Sequence, residues 1–223
     1  MFARVGSGKS RNVLVELVLI VLGISIALWF EGLAEDLHED EMARQYMSGL
    51  SDDLQTDIKS LESMIRNNQN RIARLEFTLA LIPGLATASS ETQAEIIFAP
   101  SSYHFFQPAN FTYISMQESG HFRLLPDPVV KRDLLKLMQR YQLIDELQRN
   151  FIQALDDSYI PLMMGSFDIL NGHLTDASLP GSTLFRNFFA FTLQDTSQRL
   201  TVLEDARLQA GALLESINAE ILE

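Results

Sequence analysis

Hydrophobic positions along this chain fall into one continuous run followed by spaced stripes. Residues Val13 to Phe30 read VLVELVLIVLGISIALWF, apolar except for Ser25 and one acid, Glu16. A helix rising about 1.5 Å per residue carries that run over roughly 27 Å, close to the hydrocarbon thickness of a bilayer. From about residue 35 to 82 the pattern changes. Ala43, Met47, Leu50, Leu54, Ile58, Leu61, Ile65, Ile72, Leu75, Leu79 and Ile82 recur at intervals of three and four, interrupted around Asn67 to Asn70. That spacing predicts one long helix with a single apolar face. Pro83 and Gly84 end it, and only Gly32 weakens its continuity with the apolar run before it.

The middle of the chain, from Ile96 to Pro128, has no period. Pro100 and Pro108 break it, Asn110 to Gln117 is predicted as a short helix, and Ser119 with Gly120 as its C-terminal cap. Asp127 before Pro128 is a helix start, and Leu134, Leu135, Met138, Tyr141, Leu143, Ile144, Leu147, Phe151 and Leu155 carry that helix to about residue 160, where Pro161 ends or kinks it. Residues 165–181 read as a loop with a turn of helix at Phe167 to Leu170. Ser182 caps a last helix over 183–221, whose Phe189, Leu193, Leu200, Leu203, Ala210, Leu214, Ile217 and Ile221 fit a seven-residue repeat with polar members at Thr196 and Arg207. The expectation is an all-α chain. One N-terminal transmembrane helix (13–30) precedes an elongated extracytoplasmic bundle (31–223) of about three long helices (35–82, 128–160 and 183–221) with short helical pieces. The competing arrangement pairs the stripes with another copy, as self-association through a coiled coil.

Charge gives the run a direction. Arg4, Lys9 and Arg11 lie in the basic tail 1–12, whereas Glu31, Glu35, Asp36, Glu39, Asp40 and Glu41 follow the run. Basic flanks stay cytoplasmic, so the N-terminus is expected inside and the bulk of the chain in the periplasm of a bacterial inner membrane. A cleaved signal fits less well, because its apolar core is shorter and small residues stand where this chain has Trp29 and Phe30. Arg11, Trp29 and Phe30 are the expected interface anchors. The net charge of −12 excludes a basic face for nucleic acid, and the absence of cysteine excludes disulfides and thiolate sites.

The segments ELVLIVLGISIALWFEGLAED and YMSGLSDDLQTDIKSLE resemble a bacterial family of single-span membrane proteins of unknown function. Its members have an N-terminal anchor of the type Glu-Ile-x-Leu-Val-x-x-Gly-Ile-x-Ile-Ala-Leu and then a helix with Leu-x-x-Asp-Leu-x-x-Asp-Ile. Glu16, Gly23, Ala27, Leu50, Asp53, Leu54, Asp57 and Ile58 match, and FTYISMQESGHFRLL is similar more loosely; after the anchor the family's Asn-Trp-Asn-Glu is replaced by Phe-Glu-Gly-Leu. The resemblance implies an anchored helical domain and supplies no activity.

Candidate chemistry is sparse. Gly8-Lys9-Ser10 lacks the first glycine and the preceding strand of a phosphate-binding loop. His38, His104, His121 and His173 show no metal-ligand spacing, and no nucleophile elbow occurs. Neither an enzyme nor a bound cofactor is expected. Glu16 inside the span, with Gly23 and Ala27 as a small-residue face, is the predicted contact for a partner helix. Tyr103, Phe105, Phe106, Phe111 and Tyr113 are a predicted docking surface, set against ordinary core packing. The expected function is a non-catalytic accessory or scaffold subunit, whose partners are the lipid bilayer and the other integral subunits of a larger assembly. Electron-transfer and photosynthetic complexes are assemblies of this kind, and the sequence does not single one out. The alternative is a periplasmic ligand-sensing or binding domain that signals through a partner.

Overall fold

The structure, a computed structural model, describes residues 7–221, with side chains from Glu16 onward. Helix α1 runs from Ser7 to Leu81 without a break, 75 residues and on the order of 110 Å. It therefore includes the apolar run, Gly32 and the first stripe in one rod, and its first residues lie inside the segment read as a tail. Its apolar start, with a mean hydropathy of 2.3 over the best 18-residue window, is long and apolar enough to cross a membrane, as an anchor or a signal sequence is. Every described side chain from Glu16 to Phe30 is exposed, and burial sets in at Met47.

From Met47 the buried seam of α1 runs through Leu50, Leu54, Asp57, Leu61, Met64, Asn68, Arg71, Leu75 and Thr78, and on to Ile82 just past its end, an unbroken alternation of three and four, with Ser51 buried beside it. The gap in the sequence stripe is thus no gap in the seam: Asn68 and Arg71 carry it through. Helix α4 (Pro128–Ala154) buries Val130, Leu134, Leu137, Tyr141, Ile144, Gln148 and Phe151 at the same intervals. Helix α6 (Thr183–Ile221) buries Phe189, Thr192, Thr196, Arg199, Leu203, Ala206, Ala210, Leu213 and Ile217. Matched three-four seams are the packing pattern of nearly parallel helices. Helix α6 returns antiparallel to α1: Ser51 bonds Asn218 at 3.0 Å, Glu62 meets Arg207 at 3.3 Å, and Arg71 faces Arg199. Arg140 of α4 pairs with Asp205 of α6 at 2.9 Å. The three stripes face one another within one chain, so the C-terminal end of α6 lies beside the start of the α1 seam.

The repeat on α6 is half a register from expectation. Phe189, Thr196, Leu203, Ala210 and Ile217 hold one seam position as predicted. The other is filled by Thr192, Arg199, Ala206 and Leu213, while Leu193, Leu200 and Leu214 lie half-buried on its flank and Arg207 is exposed. Small residues at Ala206 and Ala210 sit on the seam facing α1, and the polar member Arg199 faces Arg71 of α1.

The third side of the bundle, between α1 and α4, is closed by the aperiodic segment. Helix α2 (Ser90–Phe98), which the sequence pattern did not predict, starts at Ser89, whose side chain accepts the Thr92 N–H at 3.2 Å. An extended strap, residues 102–110, leads to α3 (Phe111–Glu118), which ends at Gly120 with φ +72°, a left-handed cap that favours glycine. The predicted starts of the last two long helices hold: Asp127 accepts the Val129 N–H at 2.7 Å and Ser182 that of Phe185 at 3.4 Å.

Pro161 does not end the α4 rod. The helix widens to a π turn over Leu155–Tyr159 and continues as α5 (Ile160–Ser166). A proline ring collides with the carbonyl four residues back, and the extra residue in the turn relieves that clash. The turn also buries Tyr159, whose hydroxyl donates to the Ile97 carbonyl at 2.7 Å. The predicted turn of helix at Phe167 to Leu170 is instead a hairpin, β1 (Phe167–Asp168) antiparallel to β2 (His173–Leu174). There the Asp168 carboxylate accepts the N–H groups of Leu170 and Asn171 at 3.0 and 3.1 Å, a local turn that competes with helix.

Gly49 sets the distance between α1 and α3. A Cβ at this position would lie 2.8 Å from Thr112 Oγ1 and 3.1 Å from its Cγ2. Thr112 cannot withdraw easily, because its N–H is held by Asp53 at 2.9 Å. Gly49→Ala is expected to destabilise the fold by about 1 kcal/mol in urea unfolding despite alanine's higher helix propensity. Adding Thr112→Ala is expected to turn that loss into a gain relative to Thr112→Ala alone.

Candidate functional site

The buried seam is not uniformly apolar. One apolar cluster contains Leu54, Leu61, Tyr141, Ile144 and Leu203, and a second contains Leu75, Phe151, Tyr159 and Phe189. Between them lies a polar layer contributed by four elements: Arg71 from α1, Tyr103 from the strap, Gln148 from α4, and Asp195 with Arg199 from α6. Arg199 is 1 % exposed, Arg71 8 % and Asp195 9 %. Asp195 and Arg199 are one helical turn apart and pair at 3.2 Å. Arg71 donates from Nη2 to the Pro100 carbonyl at 2.7 Å.

Both guanidiniums lie over the same two rings. Tyr103 stacks on Phe151 with centroids 5.0 Å apart and planes 18° from parallel. The Arg199 Cζ is 4.3 Å from the Tyr103 centroid, and the Arg71 Cζ is 4.8 Å from that of Phe151. These cation–π contacts offset part of the desolvation of two like charges. The imbalance shifts the proton affinity of each group. Burial, with Arg199 adding repulsion, lowers Arg71 to about 10. Burial pushes the Tyr103 hydroxyl up to about 12 and raises Asp195 above its ordinary value despite the two neighbouring arginines. At neutral pH the Tyr103 hydroxyl keeps its proton, and the layer sets two guanidiniums beside a single acidic side chain.

A second polar set fastens the strap. Gln148 accepts the Phe106 N–H at 2.7 Å and donates to the Phe106 carbonyl at 3.1 Å, as a neighbouring strand would. Asp57 accepts the Ala109 N–H at 2.6 Å, and Asp53 accepts that of Thr112, capping α3 from another helix because Asn110 does not. Asp53 and Asp57 thus receive backbone donors that the aperiodic segment cannot satisfy itself.

Burial raises the Asp57 pKa, and the nearby Asp53 adds to the rise against the bond from the Ala109 N–H and the neighbouring Tyr141 hydroxyl. The sign follows from the proton count. A carboxyl held protonated more tightly in the fold favours the fold below its unfolded value, 3.8, and that advantage fades as pH rises through the higher folded value. Asp57→Asn keeps an acceptor for Ala109 and does not titrate. Its stability relative to the parent is expected to climb between pH 4 and pH 7 in urea titrations. Asp57→Ala, which orphans the Ala109 N–H, is expected to lose about 1–3 kcal/mol at any pH.

The predicted aromatic surface divides in two. Phe106 is buried, and Tyr103 is half-buried in the polar layer; Tyr113 is half-buried edge-on to Phe122. Phe105 and Phe111 are 55 % and 75 % exposed. Phe105 packs edge-on to Tyr103 with centroids 4.6 Å apart, and Phe191 stacks on Phe151. Glu16, Gly23 and Ala27 fall on one face of α1, all exposed, with Phe30 near that face and Trp29 on the other side. The Arg11 side chain lies outside the described residues, as does Arg4.

At the bundle end nearer the apolar run, Arg123 forks the Glu39 carboxylate, with one arm at 2.9 Å, and Tyr46 Oη meets His121 Nδ1 at 2.8 Å. An open cleft of about 580 Å³ lies there, between Asp40, Arg44, Met47, Leu124, Pro126 and Ile221. Among the described residues no three His, Asp or Glu side chains gather in a metal-binding group. The sequence reading missed the polar layer. Its one visible signal was that the interruption of the α1 stripe and the polar members of the α6 repeat fall at the same level once the helices are antiparallel. Comparisons with known protein families, with curated proteins and with solved structures find no match to this chain.

Proposed function

We propose that this chain is a non-catalytic, single-pass membrane subunit that holds a three-helix bundle at a set distance from a bacterial inner membrane and docks it onto a larger protein assembly. The observation that carries the reading is the continuity of α1. The exposed apolar run and the buried seam belong to one rod, with residues 31–46, roughly 24 Å, between them. A flexible linker would let the bundle sample all orientations; this stalk does not, and the Glu39–Arg123 and Tyr46–His121 contacts brace it further. Scaffolding needs that stiffness.

In this reading the N-terminus is cytoplasmic and the bundle periplasmic, since Arg4, Lys9 and Arg11 precede the span and Glu31 to Glu41 follow it. Membership of the single-span family that the anchor resembles is part of the same proposal. The stripes of α1, α4 and α6 are occupied within the chain, which leaves the Glu16/Gly23/Ala27 face as the surface offered to a neighbouring span. Gly23→Leu with Ala27→Leu is expected to release the chain from its assembly in mild detergent while the helical circular dichroism of the bundle is unchanged. A parent chain that runs as a lone monomer after gentle solubilisation would remove the proposal.

The second reading, a periplasmic domain that senses a small ligand and signals through a partner, is favoured by one observation, the buried cationic layer. Thermal unfolding against a panel of metabolites separates the two, since a specific stabiliser among them supports sensing.

A further inference from the structure

The donors of the polar layer outnumber its acceptors. Among the described residues, Arg71 Nε and the Arg199 Nε, Nη1 and Nη2 atoms are buried with no hydrogen-bond partner of good geometry, and the Tyr103 hydroxyl beside Arg199 is buried with them. Asp195 Oδ2 lies 3.2 Å from Arg199 Nη2 but outside hydrogen-bonding geometry. Leaving so many charged donors unmet inside a small domain is disfavoured by several kcal/mol, a large part of its whole stability. The set also has a sign: two guanidiniums and a neutral hydroxyl against one carboxylate amount to one uncompensated positive charge. Water satisfies donors and leaves that charge in place. An anion does both.

We propose that the layer formed by Arg71, Arg199 and Tyr103 is a binding site for a small inorganic anion of the halide class, chloride in the cell. The surroundings decide the class. The guanidiniums lie against the stacked Tyr103 and Phe151 rings, and Phe151 is fully buried, so an occupant must shed its water. A monatomic ion needs the least room among the packed rings and, with a single charge, loses hydration at less cost than a multiply charged phosphate. The door is the strap: Tyr103 is half-buried and sits on the extended segment 102–110, which is held to the bundle by side chains of α1 and α4 instead of a continuous ladder. An anion here joins α1, the strap and α6 at one point.

The test uses the full chain in detergent at constant pH and ionic strength, with sodium gluconate exchanged for sodium chloride or bromide. The melting temperature is expected to rise by about 2–4 °C and to saturate with halide. Arg199→Leu is expected to abolish the rise and Asp195→Asn to enlarge it, because the second removes the carboxylate that competes with the anion. Chloride-35 NMR gives an independent reading: exchange broadening present in the parent, reversed by bromide, and lost in Arg199→Leu or, where that variant does not fold, in Arg71→Met. Equal melting temperatures in all salts with no broadening would show that water fills the layer, and a rise that persists unchanged in the arginine variants would mark a surface salt effect. Either result overturns the site.

Discussion

Replacing Asp195 by alanine is expected to remove about 3–5 kcal/mol from a fold whose total stability is about 5–15 kcal/mol. The carboxylate is the one anionic group that α6 brings to the Arg71/Arg199 layer, and it is 9 % exposed. Without it two guanidiniums remain over the same pair of rings, repelling each other where water has little access. The loss is therefore more than one hydrogen bond: it exposes the desolvation of both cations. Asp195→Leu combined with Arg199→Leu is expected to lose less than Asp195→Ala alone. That double variant deletes the charge pair together and leaves Arg71 with the Pro100 carbonyl, 2.7 Å away, and both rings. Urea unfolding followed by circular dichroism in chloride-free buffer measures both. A single variant that costs under about 1 kcal/mol would mean that the layer is hydrated well enough to do without its carboxylate.

Which parts of this molecule can be read from the chain follows from where each residue's partner lies. The apolar run, the helix starts at Asp127 and Ser182 and the stop at Pro83 depend on neighbours within a few residues, and the structure places elements accordingly. The phase of α6 is different. Counting apolar residues selects Leu193, Leu200 and Leu214 over Thr192, Arg199 and Leu213, because a leucine outscores a threonine or an arginine wherever it faces. Only α1 breaks the tie: Arg71 faces Arg199 at that α6 seam position, and a polar layer is tolerated when its members meet one another. Pro161 is a third case. A helix breaker was legible, but the π turn that absorbs it depends on Tyr159 reaching the Ile97 carbonyl of α2, a residue far off in sequence. The aromatic cluster was visible as composition, and its division into buried Phe106 and exposed Phe105 and Phe111 was not, since the strap has no period to assign faces.

The strap leads to the second large effect, because one side chain does there what a β-ladder does elsewhere. Gln148→Leu is expected to destabilise the protein by about 2–5 kcal/mol, although leucine suits the apolar face of α4 and has similar bulk. The amide of Gln148 holds both backbone groups of Phe106, and the replacement leaves a buried N–H and a buried carbonyl with no partner, each worth about 1–3 kcal/mol. The consequence is local before it is global. Released at Phe106, the segment 102–110 keeps its anchorage at Ala109 through Asp57 and its packing through the Tyr103 and Phe106 rings, so it opens as a unit. Hydrogen exchange is expected to show the Phe106 and Ala109 amides losing protection by at least tenfold while the amides of α6 around Leu203 stay protected. Gln148→Glu separates the two bonds: it keeps the acceptor for the Phe106 N–H, loses the donor to the carbonyl and buries a charge, so its loss is expected to be comparable at neutral pH and to shrink as the pH falls and the carboxyl regains a proton to donate. If protection in the strap were unchanged in Gln148→Leu, the segment would be held by its aromatic packing alone, and Tyr103 and Phe106 would be the residues to remove.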